Sequence, residues 1–139
     1  MTRIRALFAS AGGIAAALAL IAAQQPSALA QAQPGLWEIS GAPGARAAVR
    51  QCVADVAALA RFEHRSNSCT AKLLKDAGSS AEIDYSCGGA GFGHSKVEVI
   101  TPRSLRISTQ GISGGLPFNY VLQARRIDDC PKTASSARH

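Results

Sequence analysis

The stretch Cys69-Thr70-Ala71-Lys72-Leu73-Leu74-Lys75-Asp76-Ala77-Gly78-Ser79-Ser80-Ala81-Glu82-Ile83-Asp84-Tyr85-Ser86-Cys87 is symmetric about Gly78. Folded back as a hairpin with its turn over residues 76–80, it sets Cys69 opposite Cys87, Ala71 opposite Tyr85 and Leu73 opposite Ile83. The residue numbers of every pair sum to 156, so the pairs share one register and one face. Ile83, Tyr85 and Cys87 alternate with Glu82, Asp84 and Ser86, the period-two pattern of a sheet with one wet face. Cross-strand partners hold their Cβ atoms about 4.5–5.5 Å apart, close to the reach of a disulfide. The hairpin therefore favours a Cys69–Cys87 bridge and leaves Cys52 for Cys130. Structural zinc draws its ligands in close pairs, and the cysteine spacings of 17, 18 and 43 residues do not suit it.

Outward from this hairpin the same period continues. Val97 and Val99 alternate with Lys96 and Glu98, and Leu105 and Ile107 with Arg106 and Ser108. A second hairpin centred on Pro102 pairs Val99 with Leu105 and Val97 with Ile107. After an expected loop over residues 111–117, a strand over residues 118–127 carries Phe118, Tyr120, Leu122 and Ala124 on one side. Upstream, residues 36–39 read as a first strand with Trp37 and Ile39 on one face, and residues 46–52 as a second. The one helical stretch is 53–63, with Val53, Val56, Ala57 and Ala60 near one stripe and Asp55 in the first turn, where its charge suits the helix dipole. The expected fold is mainly β (α+β): an antiparallel meander of about six to seven strands, a curved sheet or barrel-like, with one short helix and two disulfides.

Residues 1–30 have the three parts of a secretory signal. Arg3 and Arg5 begin it, an uncharged run from Ala6 to Ala23 follows, and Pro26 precedes Ser27-Ala28-Leu29-Ala30, whose small residues place the cut before Gln31. An uncleaved anchor is the competing reading, since the 18-residue run sits at the lower limit for spanning a bilayer. Gly12-Gly13 inside the run and the cleavage signature after it favour removal. No cysteine stands at residues 31–34, directly after the cut, so a lipid anchor and any later membrane attachment are not expected. Of 139 residues, 109 would remain, reading as one domain over 31–131 and a disordered tail over 132–139. Losing Arg3 and Arg5 takes the net charge from +6 to +4, with Arg125-Arg126 the one adjacent basic pair after the cut, which is no nucleic-acid footprint. Four cysteines in an exported chain fit an oxidising compartment, periplasmic or secreted.

Motifs that carry chemistry are scarce. Gly88 to Gly93 lacks the following helix of a dinucleotide loop and the Gly-Lys-Ser/Thr of a Walker loop, and reads as a strand connection or bulge. His64, at the helix end, reads as a partner of the helix dipole; His94 falls in the Gly-rich stretch. A two-histidine metal site from His64 and His94 has no supporting spacing. Glu82 and Asp84 share the wet face of their strand, and bridged cysteines supply no nucleophile.

The opening Pro34-Gly35-Leu36-Trp37-Glu38, Gln51-Cys52 ahead of a helix, two middle cysteines with a Gly-rich step after Cys87, and the ending Arg126-Ile127-Asp128-Asp129-Cys130-Pro131 resemble a family of secreted proteobacterial proteins classed as a domain of unknown function. The resemblance runs from Pro34 to Pro131. Asp128 stands where that family usually has glycine, and Val53-Ala54-Asp55 where it usually has a Thr-Pro-Glu cap. It implies an exported, disulfide-bonded, β-rich domain and carries over no catalytic residue. The leading expectation is a non-catalytic extracytoplasmic domain that binds a small apolar ligand or an envelope protein, with Trp37, Tyr85, Phe118 and Tyr120 lining the cleft. Two other classes stand beside it: a small secreted hydrolase using His94 with a nearby serine or carboxylate, and a structural envelope protein that meets partners through a sheet edge. No cofactor, metal or nucleic-acid partner is expected.

Overall fold

The computed structural model describes residues 27–132, so the first 26 residues of the expected signal and all but Lys132 of the expected tail lie outside the described residues. Seven strands, β1 (Gly35–Ser40), β2 (Val49–Val53), β3 (Thr70–Ala77), β4 (Ser80–Ser86), β5 (Gly91–Thr101), β6 (Ser104–Ser113) and β7 (Leu116–Asp128), make one antiparallel sheet. Their order is β2-β1-β7-β6-β5-β4-β3. From β3 to β7 each strand pairs with its neighbour in sequence, and the β1–β2 hairpin adds to the far side of β7. Nothing joins β2 to β3, so the sheet is curved but unclosed.

Both expected hairpins form in their expected registers, and each adjusts near its turn. Ala71 pairs with Tyr85 and Leu73 with Ile83, but a bulge after Leu73 shifts the rest, so that Asp76 faces Ala81 and Ala77 faces Ser80. The bulge exchanges an odd-numbered loop centred on Gly78 for a two-residue turn. Gly78 takes φ +66° there, a conformation that glycine adopts without steric cost. Val97 pairs with Ile107 and Val99 with Leu105, again with a bulge before the turn.

The expected loop over 111–117 is instead mostly strand. β6 runs to Ser113 and β7 starts at Leu116, because Gly114 and Gly115, both at positive φ, turn the chain in two residues. The second strand is likewise later than expected, Val49–Val53.

The helix differs in both type and start. It is a 3-10 helix, Val56–His64, with a break at Arg61, and Val53 belongs to β2. Asp55 is its N-cap and not a first-turn residue, its carboxylate accepting from the Ala57 N–H at 3.0 Å. With three residues per turn, Val56, Leu59 and Phe62 fall on one line, and all three are buried against the sheet. At the expected α-helical spacing Phe62 is off that line.

The core lies between this helix and the inner sheet face, built on Trp37, Ile39, Ile83, Val97, Leu105, Ile107 and Leu122. Within it the Ser95 hydroxyl bonds to Ala60 O and lies 2.8 Å from Thr109 Oγ1, which ties the helix to the sheet. Cys69–Cys87 closes the open end of the edge hairpin, with Cα atoms 4.1 Å apart. Cys52–Cys130 joins β2 to the segment after β7, across the beginning of β1. Ahead of β1 a short turn, Leu29–Gln31, is seated on the fold: Ala28 is fully buried, and Ser27 Oγ and Leu29 N–H both donate to Asp76. The expected cut between Ala30 and Gln31 lies inside that turn. Among the described residues, no helix is long and apolar enough to cross a membrane.

Candidate functional site

Alternation along the strands sends odd-numbered residues of β4 and β5 to the core and even-numbered ones outward. Register then sets four outward residues side by side: Asp84 faces His94, His94 faces Gln110, and Gln110 faces Asn119. The row beneath on the same face is Ser86, Phe92, Ile112 and Pro117. Asp84, His94, Gln110 and Asn119 of the first row and Phe92 and Ile112 of the second border an open cleft of about 630 Å³. Its floor is Gly93 and Gly111, cross-strand partners without side chains.

The glycines are required by what lies behind them. On the inner face the Tyr85 ring covers Gly93, and a Cβ built there would meet the phenol oxygen at 2.4 Å. A Cβ on Gly111 would meet Phe92 O at 2.1 Å.

Asp84 Oδ1 lies 2.6 Å from His94 Nδ1. A carboxylate can only accept, so Nδ1 carries the proton and donates to Asp84; in the Nδ1–H tautomer Nε2 is the ring's acceptor. Both side chains are partly open to solvent, at 38% for His94 and 50% for Asp84. Phe92, 55% exposed, supplies the apolar wall, with Ile112 beside it. The site thus combines one acceptor, two amides and an apolar surface. Among the described residues no hydroxyl hydrogen bonds to His94, and all four cysteines are bridged.

Three of the four expected lining residues come together on the inner face. Tyr85 and Phe118 flank His64, with ring centroids 5.5 and 5.9 Å from its own, and Tyr120 lies 5.8 Å from Phe118. Tyr85 and Phe118 also line the outer cleft from behind the glycines. Trp37 is elsewhere, fully buried in the core with its indole N–H on Gln33 O. His64 lies in the last turn of the helix and is buried, its Nε2 donating to Ala90 O at 3.1 Å and its Nδ1 3.4 Å from the Tyr85 hydroxyl. His64 and His94 sit on opposite faces of the sheet. Among the described residues, no group of three or more His, Cys, Asp or Glu side chains could hold a metal.

Burial raises the Tyr120 phenol well above its ordinary value, and its hydrogen bond to Glu63 Oε2, 2.5 Å, raises it further. Tyr85 is raised as well, chiefly by burial, against a lowering hydrogen bond from Thr109.

Sequence reading missed the Asp84–His94 pair because it treated residues 88–93 as a connection and left β4 and β5 unpaired. The signal was present: Ala81 with Val97, Ile83 with Ser95 and Tyr85 with Gly93 all sum to 178, which sets Asp84 opposite His94.

No curated protein and no solved structure matches the chain with significance. A family model does, over residues 32–130, a span that includes all seven strands, both disulfides and the cleft. The chain therefore belongs to that family, described as a protein of unknown function, DUF3617.

Proposed function

We propose that this chain is an exported, non-catalytic binding domain that works in the periplasm or outside the cell and holds a small amphipathic molecule in the outer cleft. The observation that carries the reading is the row Asp84–His94–Gln110–Asn119 above the Gly93–Gly111 floor. Polar residues on a wet face need no cavity, yet here two partnered glycines let the Tyr85 and Phe118 rings close up behind the sheet, and the Phe92 ring stands beside them on the outer face. A cleft of about 630 Å³ is within the range that small ligands occupy. The ligand has an apolar body against Phe92 and Ile112 and an O–H or N–H that donates to His94 Nε2. Two disulfides and the signal-like residues 1–30 support an oxidising compartment.

Native mass spectrometry of protein purified from its own periplasm tests this. The expected result is a mature chain beginning at Gln31 with a small molecule retained, and loss of that molecule in a Phe92→Ala, His94→Ala variant. A bare chain of mature mass under gentle conditions overturns the binding reading. The hydrolase reading has one favouring observation, the carboxylate that orients His94. A His94→Ala variant that keeps every measurable activity removes it.

A further inference from the structure

The sheet has a missing piece. β1 pairs with β7 only as far as Ser40 opposite Gln123, while β7 continues for seven further residues, Leu116 to Leu122, in full pairing with β6 on its other side. Ser40 Oγ donates to Gln123 O, and Gly41 packs against Val121 O, so the carbonyls of odd-numbered β7 residues point to the β1 side. By the same alternation, Asn119 N–H and C=O and Pro117 C=O point into the space past the end of β1. Among the described residues, no backbone bond from a loop or turn reaches them.

That space is a slot of about 630 Å³ between residues 42–45 and β7, with Phe62, Glu63 and Arg65 at its base. A four-residue extended segment is at most about 14 Å long, so a short strand fits alongside Pro117 to Val121. Its chemistry is uneven. Glu63 is engaged by Tyr120, whereas Arg65 lies over the Phe62 ring at 4.3 Å and uses one donor on Phe62 O. The remaining guanidinium donors are left for an anion. The edge strand β3 is guarded differently: it carries Lys72 and Lys75 and a bulge, whereas the uncovered residues 116–121 of β7 carry no charge at all.

We propose that this open edge of β7 takes an added strand, an extended peptide whose inward side chains are one apolar residue, packed on Phe118 and Tyr120, and one acidic residue, paired with Arg65. The slot shares Phe118 and Asn119 with the outer cleft, but Asn119 offers it backbone groups while its side chain faces the cleft, and Arg65 belongs to the slot alone, so loss of the Arg65 preference distinguishes the two.

The test is a titration of the oxidised, isotopically labelled protein with acetyl-Thr-Leu-Thr-Glu-Thr-amide, followed by amide NMR. Expected are shifts concentrated at Asn119, Val121 and residues 42–45, slowed exchange of the Asn119 N–H, and binding weaker by a factor of about five for the peptide with Lys in place of Glu. Asn119→Pro removes an edge donor while leaving the β6 pairing, and abolishes these shifts. Arg65→Glu, on the exposed helix end, reverses the peptide preference and covers the case in which the proline variant fails to fold. No shift at millimolar peptide, shifts confined to the Asp84–His94 cleft, equal response to both peptides, or the same shifts arising from protein concentration alone each overturn the proposal.

Discussion

The Tyr85 phenol ring lies directly over the Cα of Gly93, its cross-strand partner. A single missing Cβ thus seats the ring against His64 and shapes the outer cleft floor at once. Gly93→Ala is expected to displace Tyr85 and cost about 1–3 kcal/mol, as overpacking of a close-packed site does. Gly89→Ala, with open space around its Cβ, is the matched control. Urea midpoints at constant slope check both.

The two tyrosines of the chain, Tyr85 and Tyr120, are both raised above their ordinary value, chiefly by burial. In the unfolded chain they ionise near pH 10, and in the folded one later. The folded state therefore holds protons that the unfolded state has lost, and stability falls as pH rises past 10. The native protein is expected to show little tyrosinate absorbance at pH 10, with the rise coinciding with loss of structure. Tyr120→Phe flattens the alkaline decline and strands the Glu63 carboxylate, at a cost of about 1–3 kcal/mol at neutral pH.

Ser95 is fully buried among apolar residues, with Ala60 O and Thr109 Oγ1 as partners. Ser95→Ala leaves a helix carbonyl and a hydroxyl without their shared partner, and an expected loss of about 1–3 kcal/mol. Because the contact ties the helix to β5, amide exchange is expected to speed up in Val56–His64 before it does in the sheet.

The disulfides enclose unequal loops, 78 residues for Cys52–Cys130 and 18 for Cys69–Cys87. Loop-closure entropy gives about 4.5 and about 3 kcal/mol respectively. The Cys52→Ala, Cys130→Ala variant is expected to melt lower than the Cys69→Ala, Cys87→Ala variant, and reduction of both bridges to unfold the domain. Thermal denaturation followed by circular dichroism ranks them.

Much of the fold was legible because period-two alternation carries its own register. The sums of residue numbers that align Leu73 with Ile83 and Val97 with Ile107 needed no tertiary information. What escaped depends on choices between close local alternatives. Two glycines can make a loop or a tight turn, and at 114–115 the flanking strands decide. A short apolar stripe fits a 3-10 or an α-helix, and the sheet surface selects the spacing that buries Val56, Leu59 and Phe62 together. Of the expected lining residues, Trp37 could not be told from core by pattern, since alternation gives a face and not a depth. The Asp84–His94 pair was hidden by a glycine run that looked like a connection but starts a strand.

The two cross-links also impose an order in time. A chain that emerges from its N-terminus presents Cys69 and Cys87 within 18 residues of each other, so the edge hairpin can be sealed while β5, β6 and β7 are still to come. Cys52 waits for Cys130, after the last strand, and through that interval its thiol stays exposed to mispairing. Early oxidation of the local pair removes two of its three possible partners, and the nesting of one bridge inside the other acts as proofreading for the correct connectivity.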